Sequence, residues 1–342
     1  MSSRARLPLE GIVFLYFIAY LPNVILTKLV TTMPSATLGR PLTGLETLPA
    51  SLILNAILTY LFIWLSGWHR SANGTMIAGK RIPIPTRYTF LSGIGTALVL
   101  FTVPLSFTFK GVSIPFIQLL MRGDILIIAP LVDLMFGRRV RWWSWVALVM
   151  VAIALFITVQ ARGGLALPPL ALLTIALYTI GYFIRLAVMT RVSKTGDDAS
   201  IRRYFVEEKI IALPMAVIVL GLISASGFGG QAGQLSFGFI QVWTDPVLLR
   251  LIGIAVTLTI VSIFAAIILL DARENAYCVP LERAASLVAG IGGALILAAG
   301  WGLPWPSKAE LIGALILIAA IVLLSVAPRL SASVQRARAE TQ

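Results

Sequence analysis

Ten stretches of this chain are apolar over the length a helix needs to cross a lipid bilayer, about 20 residues. They lie at roughly 10–31, 46–67, 88–109, 112–135, 142–160, 165–190, 204–225, 248–270, 276–300 and 309–328. Most are apolar all round, as bundled membrane spans are, with no polar face turned to water. Hydrophobic residues make up 58% of the chain and charged residues 12%, against about a quarter charged in a soluble domain. The sequence therefore predicts an all-α integral membrane protein with ten transmembrane helices. The apolar run after Glu10 is too long for a signal-peptide core and no A-x-A-like site follows it, so no cleaved leader is expected.

The distribution of Lys and Arg orients the spans. One side carries Arg4 and Arg6, then Arg70, Lys80, Arg81 and Arg87, then Arg138, Arg139 and Arg141. It continues with Arg191, Lys194, Arg202 and Arg203, then Arg273, then Arg329, Arg336 and Arg338. The other side has only Arg40, Lys110, Arg162, Arg250 and Lys308. Both termini are thus expected in the cytoplasm. The net charge of +13 reads as topology and contact with anionic membrane lipids, with no nucleic acid as partner.

Ten spans with both ends on one side divide into five and five. An odd number per half gives the second half the opposite orientation, an inverted repeat. The expected halves are 1–163 (spans one to five) and 164–342 (spans six to ten). Internal similarity is faint: YLPNVILTK ends span one at Lys28, and YTIGYFIR runs through span six to Arg185. Pro22, Pro49, Pro104, Pro130 and Pro214 fall inside spans, where they loosen helices or kink them for packing. Gly290, Gly292 and Gly293 would let another backbone come close.

Charges inside the spans are the candidate functional residues, because an ionised side chain at the bilayer centre costs at least ~2.5 kcal/mol. At 1.5 Å per residue, Arg122 lies about 15 Å into span four and Arg283 about 10 Å into span nine, too deep for easy snorkelling. Two guanidiniums there suit a carboxylate or phosphate. Asp124 and Glu282 accompany them, which makes the site formally neutral and admits a zwitterion. Neighbours on one helix do not face each other, so Glu282 is not expected to pair with Arg283, nor Asp124 with Arg122; cross pairs between the two spans would form a gate or a lock. Lys28 and Arg185 lie near the trailing ends of their spans, where they either snorkel to the headgroups or join the binding site. Glu207 and Glu208, with Lys209, read either as an interfacial cluster or as gating or proton-carrying groups. Asp133 is at a helix end and expected to be wet.

Chemistry of other kinds has little to draw on. Cys278 is the one cysteine and His69 the one histidine, so a disulfide, a Cys or His metal site and a Ser-His triad are poorly supplied. An intramembrane enzyme would have to rely on Glu207 and Glu208. No metal and no cofactor are expected.

This pattern of ten spans with charged residues in spans four and nine resembles the drug/metabolite transporter superfamily. Its EamA-type exporters, triose-phosphate translocators and nucleotide-sugar transporters have a five-plus-five inverted repeat. The resemblance covers about 11–328 and implies a central cavity lined by spans one, three, four, six, eight and nine. In the phosphate-translocating branch, span four carries a basic residue and span nine a Lys-Arg pair that hold the substrate. The resemblance gives those roles to Arg122 and Arg283, while Glu282 stands where that branch has Lys and so points away from a triose phosphate. It implies a multi-pass protein of the bacterial inner membrane that moves metabolites without ATP.

The function expected is thus a secondary active transporter, working by alternating access on a small anionic or zwitterionic metabolite. Arg122, Arg283, Lys28 and Arg185 would bind it; Asp124, Glu282, Glu207 and Glu208 would gate it or carry a proton. A flippase for a lipid-linked, polyprenyl-phosphate type substrate is the alternative, followed by a membrane scaffold that transports nothing. Spans five and ten, apolar with few polar residues, could pair two copies in a homodimer.

Overall fold

The computed structural model describes residues 9–77, 80–107, 109, 112–121, 128, 142–161, 164, 167–192, 197–227, 229–271 and 275–340. The chain is an almost wholly helical membrane protein. Its helices are α1 (Leu9–Val30), α2 (Gly44–Leu65), α3 (Arg87–Ser106), α4 (described over 114–121), α5 (Trp142–Ala161), α6 (Pro169–Val192) and α7 (Asp198–Ser226). They continue with α8 (Gly229–Ile240), α9 (Leu248–Leu269), α10 (Asn275–Trp301) and α11 (Lys308–Glu340). Among the described residues, seven helices are long and apolar enough to cross a membrane: α1, α2, α3, α6, α7, α9 and the part of α10 from Leu281. A two-stranded antiparallel hairpin, β1 (Gly74–Ile77) and β2 (Lys80–Pro83), stands between α2 and α3.

Local chemistry sets several helix ends. At α2, the Thr43 hydroxyl accepts from the Glu46 N–H, and the Glu46 carboxylate accepts from the Thr43 N–H at 2.7 Å. Arg40 grips the same carboxylate with two nitrogens at 2.6 and 3.0 Å, so the first turn is fixed by a capping box and a forked ion pair. Thr86 and Thr89 make the equivalent reciprocal pair at α3. Asp197 caps α7, which ends at Gly227 with φ of 66°, a left-handed turn that suits glycine. α7 starts six residues before the apolar run at 204 suggests, because its first turns, with Asp198, Arg202 and Arg203 exposed, are capped by Asp197. Pro22, Pro49, Pro104 and Pro214 all lie within continuous helices; Pro130 lies outside the described residues.

The chain forms two compact units, each drawn from both ends of the sequence. The larger comprises residues 1–112 and 167–272. Here α1 packs on α9, α3 on both α6 and α7, and α2 on α7, α8 and α9. Asn23 of α1 donates to the Ile254 carbonyl at 3.0 Å and to the Thr257 hydroxyl at 2.9 Å, a polar clasp between apolar helices. Gly95 and Gly181 bring α3 and α6 into backbone contact, and Gly93 admits Ile211 of α7. Phe62, Trp68 and Phe205 meet edge to face, with ring centroids 5.1–6.4 Å apart.

The short helix α8 is unforeseen in the sequence. It lies between the expected spans seven and eight, and its Gly238 lies flat on Pro49 and the Glu46 carbonyl of α2.

The smaller unit comprises residues 113–166 and 273–342. Its core joins Leu119, Val151, Ala154, Leu287, Ala314 and Leu317 from α4, α5, α10 and α11. Gly313 fits against Thr158 and the Ala154 carbonyl. Ser307 and Glu310 form a capping box at the start of α11, with hydrogen bonds of 2.9 and 3.2 Å. Gly290 of α10 gives room to the buried amide of Gln118.

In the larger unit, the loop from 31 to 43 is tied to the start of α9 by Asp245. This carboxylate accepts hydrogen bonds from the Ser35 hydroxyl and the Val247 N–H. Burial opposes its ionisation, but the hydrogen bonds from Ser35 and Val247 outweigh it and hold the carboxyl below its usual value. The stabilisation is therefore complete above about pH 3.9, where the unfolded carboxyl is ionised, and is lost as pH falls through the lower folded value. Asp245→Asn is expected to cost about 1–2 kcal/mol near neutral pH. The difference in unfolding midpoint between variant and wild type should shrink on acidification; an unchanged difference would mean that ionisation is not the source.

Candidate functional site

Arg122 and Asp124 lie outside the described residues, as does Asp133. The other candidates fall into two buried groups, one in each unit.

In the smaller unit, Arg283 and Glu282 of α10 are each 4% exposed. Arg283 Nε lies 3.0 Å from Glu282 Oε2. The expectation that these neighbours cannot pair is overturned. Helix geometry separates their Cβ atoms, but both side chains are long enough to fold toward each other where neither has water.

The larger unit holds a denser arrangement on α3, α6 and α7. Arg185, Glu207, Glu208 and Lys209 are all buried, with Glu207 and Glu208 wholly inaccessible. Arg185 does not snorkel: its Nε donates to Glu208 Oε1 at 2.9 Å. Glu207, Glu208 and Lys209 likewise each lie inside the helix packing. Glu208 Oε1 also accepts from Thr96 Oγ1 at 2.6 Å, and the Ser92 and Tyr204 hydroxyls, which hydrogen bond each other, stand 3.2 and 3.1 Å from it. Its second oxygen, Oε2, has no hydrogen bond and sits 3.9 Å from Lys209 Nζ. Lys209 in turn lies over the Phe205 ring, 5.5 Å from its centroid. Two buried cations thus share one buried carboxylate.

Glu207 faces the other way. Its carboxylate accepts from the backbone N–H groups of Asn73 and Thr86, from Thr89 Oγ1 at 2.9 Å and from Arg203 Nε at 3.1 Å. It anchors the hairpin segment to α7 and is fully engaged in doing so. Next to it opens a cavity of about 190 Å³, lined by Thr86, Thr89, Ser200, Arg203, Tyr204 and Glu207 among others. Lys28 is separate: half-buried on α1, it donates to the Phe107 carbonyl at the end of α3 at 3.3 Å, satisfying a helix-terminal acceptor.

Sequence reasoning missed Ser92, Thr96 and Tyr204. A signal is present in retrospect: Thr89, Ser92 and Thr96 repeat at spacings of three and four along α3, and Tyr204 and Glu208 are one turn apart on α7. Among the described residues, no group of three or more His, Cys, Asp or Glu could hold a metal ion.

Comparison with known proteins adds fold but no function. No family model and no curated protein matches the chain. It is similar to a solved structure described only as "Crystal structure of protein", with 13% identity and a TM-score of 0.55 over 94% of this chain and 97% of that one. At such identity the likeness speaks for shared architecture alone.

Proposed function

We propose that the chain is a secondary transporter of the drug/metabolite transporter type, carrying a small anionic or zwitterionic metabolite by alternating access. The observation that supports this most directly is the ion-paired Arg185 and Glu208, with Lys209, sealed among membrane-spanning helices. Replacing buried ion pairs by apolar residues is often neutral or stabilising, by about 1–4 kcal/mol. Ion pairs at membrane depth are therefore better explained by a solute path than by stability. Arg185 and Arg283 each hold a carboxylate of their own chain, and a solute's carboxylate or phosphate would compete for the same guanidinium.

The helix pairings support the five-plus-five repeat. With α9, α10 and α11 taken as spans eight, nine and ten, advancing every span by five turns the α1–α9 pair into α6–α3. The α3–α7 pair likewise becomes α9–α2, while α2–α7 and α5–α11 map onto themselves. This is the pairing expected of halves 1–163 and 164–342 related by a two-fold axis in the membrane plane. Both termini and the basic loops then face the cytoplasm of a bacterial inner membrane.

The test begins with thermal-shift screening of the purified protein against amino acids, dicarboxylates and phosphorylated sugars, since a ligand that favours the folded state raises its midpoint. Uptake of each hit is then measured in proteoliposomes. Arg185→Gln and Arg283→Gln are expected to lower uptake by about 100-fold while the protein still inserts and stays monodisperse, in line with a loss of ~2.7 kcal/mol. Wild-type uptake by both variants would remove the solute-binding role proposed for each arginine.

A further inference from the structure

The cavity beside Glu207 opens at the end of the larger unit that carries the basic hairpin. At about 190 Å³ it has room for several waters, each filling about 30 Å³. Its lining of hydroxyl, carboxylate and guanidinium groups suits water. Tyr204 belongs to this lining and is also buried, 1% exposed. Its hydroxyl is hydrogen bonded both to Ser92 and to Glu208. One side chain therefore bridges a solvent-sized chamber and the carboxylate that neutralises two buried cations.

Glu207 lines this chamber and Glu208 lies behind Tyr204, and the two acids differ in what they can do. Glu207 is saturated by two backbone N–H groups, Thr89 and Arg203, and has a structural task. Glu208 concentrates its contacts on Oε1, the oxygen that also holds Arg185. A proton arriving from Tyr204 would land on that oxygen and compete directly with the guanidinium.

We propose that this cavity is the proton-entry port of the transporter, that Tyr204 relays protons from it, and that Glu208 is the proton-coupling group. In the relay, Tyr204 passes its hydroxyl proton to Glu208 Oε1 as the same oxygen takes a proton from a hydronium in the cavity. A hydronium O–H bond and an Oη–H bond break, a new Oη–H bond and an Oε1–H bond form, and the net change is one proton moved from hydronium to carboxylate, leaving water in the cavity. Arg185 then loses its counter-ion and is open to the anionic group of the solute. This rests on the transporter reading and names its coupling ion.

The charged and titratable groups near Glu208 are few. From α6 come Arg185 and Tyr182, and from α7 itself Tyr204, Glu207 and Lys209. α3 contributes only the hydroxyls of Ser92 and Thr96 there. From α2, the Tyr60 hydroxyl donates to the Lys209 carbonyl. The turn at Trp68–Ser71 adds His69 and Arg70 at the hairpin end, α8 carries no titratable residue, and Arg250 is the one charged residue of α9, in its first turn.

The test needs no solute. Purified protein in nanodiscs is acidified by a light-triggered proton release, and the carbonyl band of a protonated carboxylic acid is followed by infrared spectroscopy. The band is expected to vanish in Glu208→Gln. In Tyr204→Phe, which keeps the ion pair, it should rise about 100-fold more slowly, the scale on which a positioned proton donor acts. Val192 lines the cavity and is 37% exposed. Since the native Cys278 is buried, a Val192→Cys variant can be labelled with a bulky cationic thiol reagent to block the port. The labelled variant should be slow, and the unlabelled one fast. A wild-type rate in both Tyr204→Phe and the labelled Val192→Cys protein would overturn the port, and a band that persists in Glu208→Gln would overturn the acceptor. Should Glu208→Gln not fold, the two slow variants carry the test. Loss of the relay with Arg185-dependent uptake intact would leave the transporter reading standing; an intact relay without uptake of any solute would refute that reading instead.

Discussion

Glu208→Gln is expected to be the most destabilising substitution among the buried charges of the larger unit, more so than removal of either cation. The reason is the sharing of one carboxylate between Arg185 at 2.9 Å and Lys209 at 3.9 Å. Neutralising Glu208 strands two buried cations at once, and breaking even a single buried pair costs about 3–5 kcal/mol. Arg185→Met removes one cation but leaves Glu208 with Lys209, Thr96 and the Ser92–Tyr204 pair, so its cost is set by one charged hydrogen bond, about 1.5–3 kcal/mol. The double variant strands only Lys209. It should therefore lose clearly less than the sum of the two single changes, and less than Glu208→Gln alone, because residues in one network do not act independently. Equilibrium unfolding in mixed micelles with rising SDS gives the ranking. Additive losses would show that the three charges do not form one electrostatic unit.

Seven of the ten expected spans, those that are long and apolar enough among the described residues, were legible in the sequence because an apolar run of bilayer length has few other uses. The start of α7 was not. Arg202, Arg203, Glu207 and Glu208 lower the hydropathy there; the two arginines are exposed, and the two buried acids are met by partners from α3, α6 and the hairpin segment. The pairing of Arg283 with Glu282 was not legible either, because backbone geometry alone ignores the reach of two long side chains. Arg185 and Glu208 are 23 residues apart on different helices. Nothing along the chain signals that they meet; the meeting is decided by how closely α3, α6 and α7 approach, and that closeness depends on glycines whose partners the sequence does not name.

Gly181→Val is the substitution expected to expose this dependence. A Cβ at Gly181 would lie 2.6 Å from the Gly95 carbonyl oxygen and 2.7 Å from Leu98 Cβ; at Gly95 it would lie 2.6 Å from the Gly181 carbonyl oxygen. Both obstacles include backbone, which cannot rotate aside, so α6 must move away from α3. Overpacking of this kind costs about 1–3 kcal/mol by itself. Arg185 sits one turn beyond Gly181 on the same helix, so the displacement also draws its guanidinium off Glu208 and adds the cost of a broken buried pair. Gly233 of α8 is the control, since a Cβ there meets nothing within 4 Å. Gly233→Ala should be neutral or stabilising, by up to about 1 kcal/mol from helix propensity. The Gly181 variant is thus expected to fall in unfolding midpoint and, as a separate sign of a displaced Arg185, to lose the non-additivity between Arg185→Met and Glu208→Gln. If Gly181→Val were as well tolerated as Gly233→Ala, the contact between the two glycines would not be what seats Arg185 against its carboxylate.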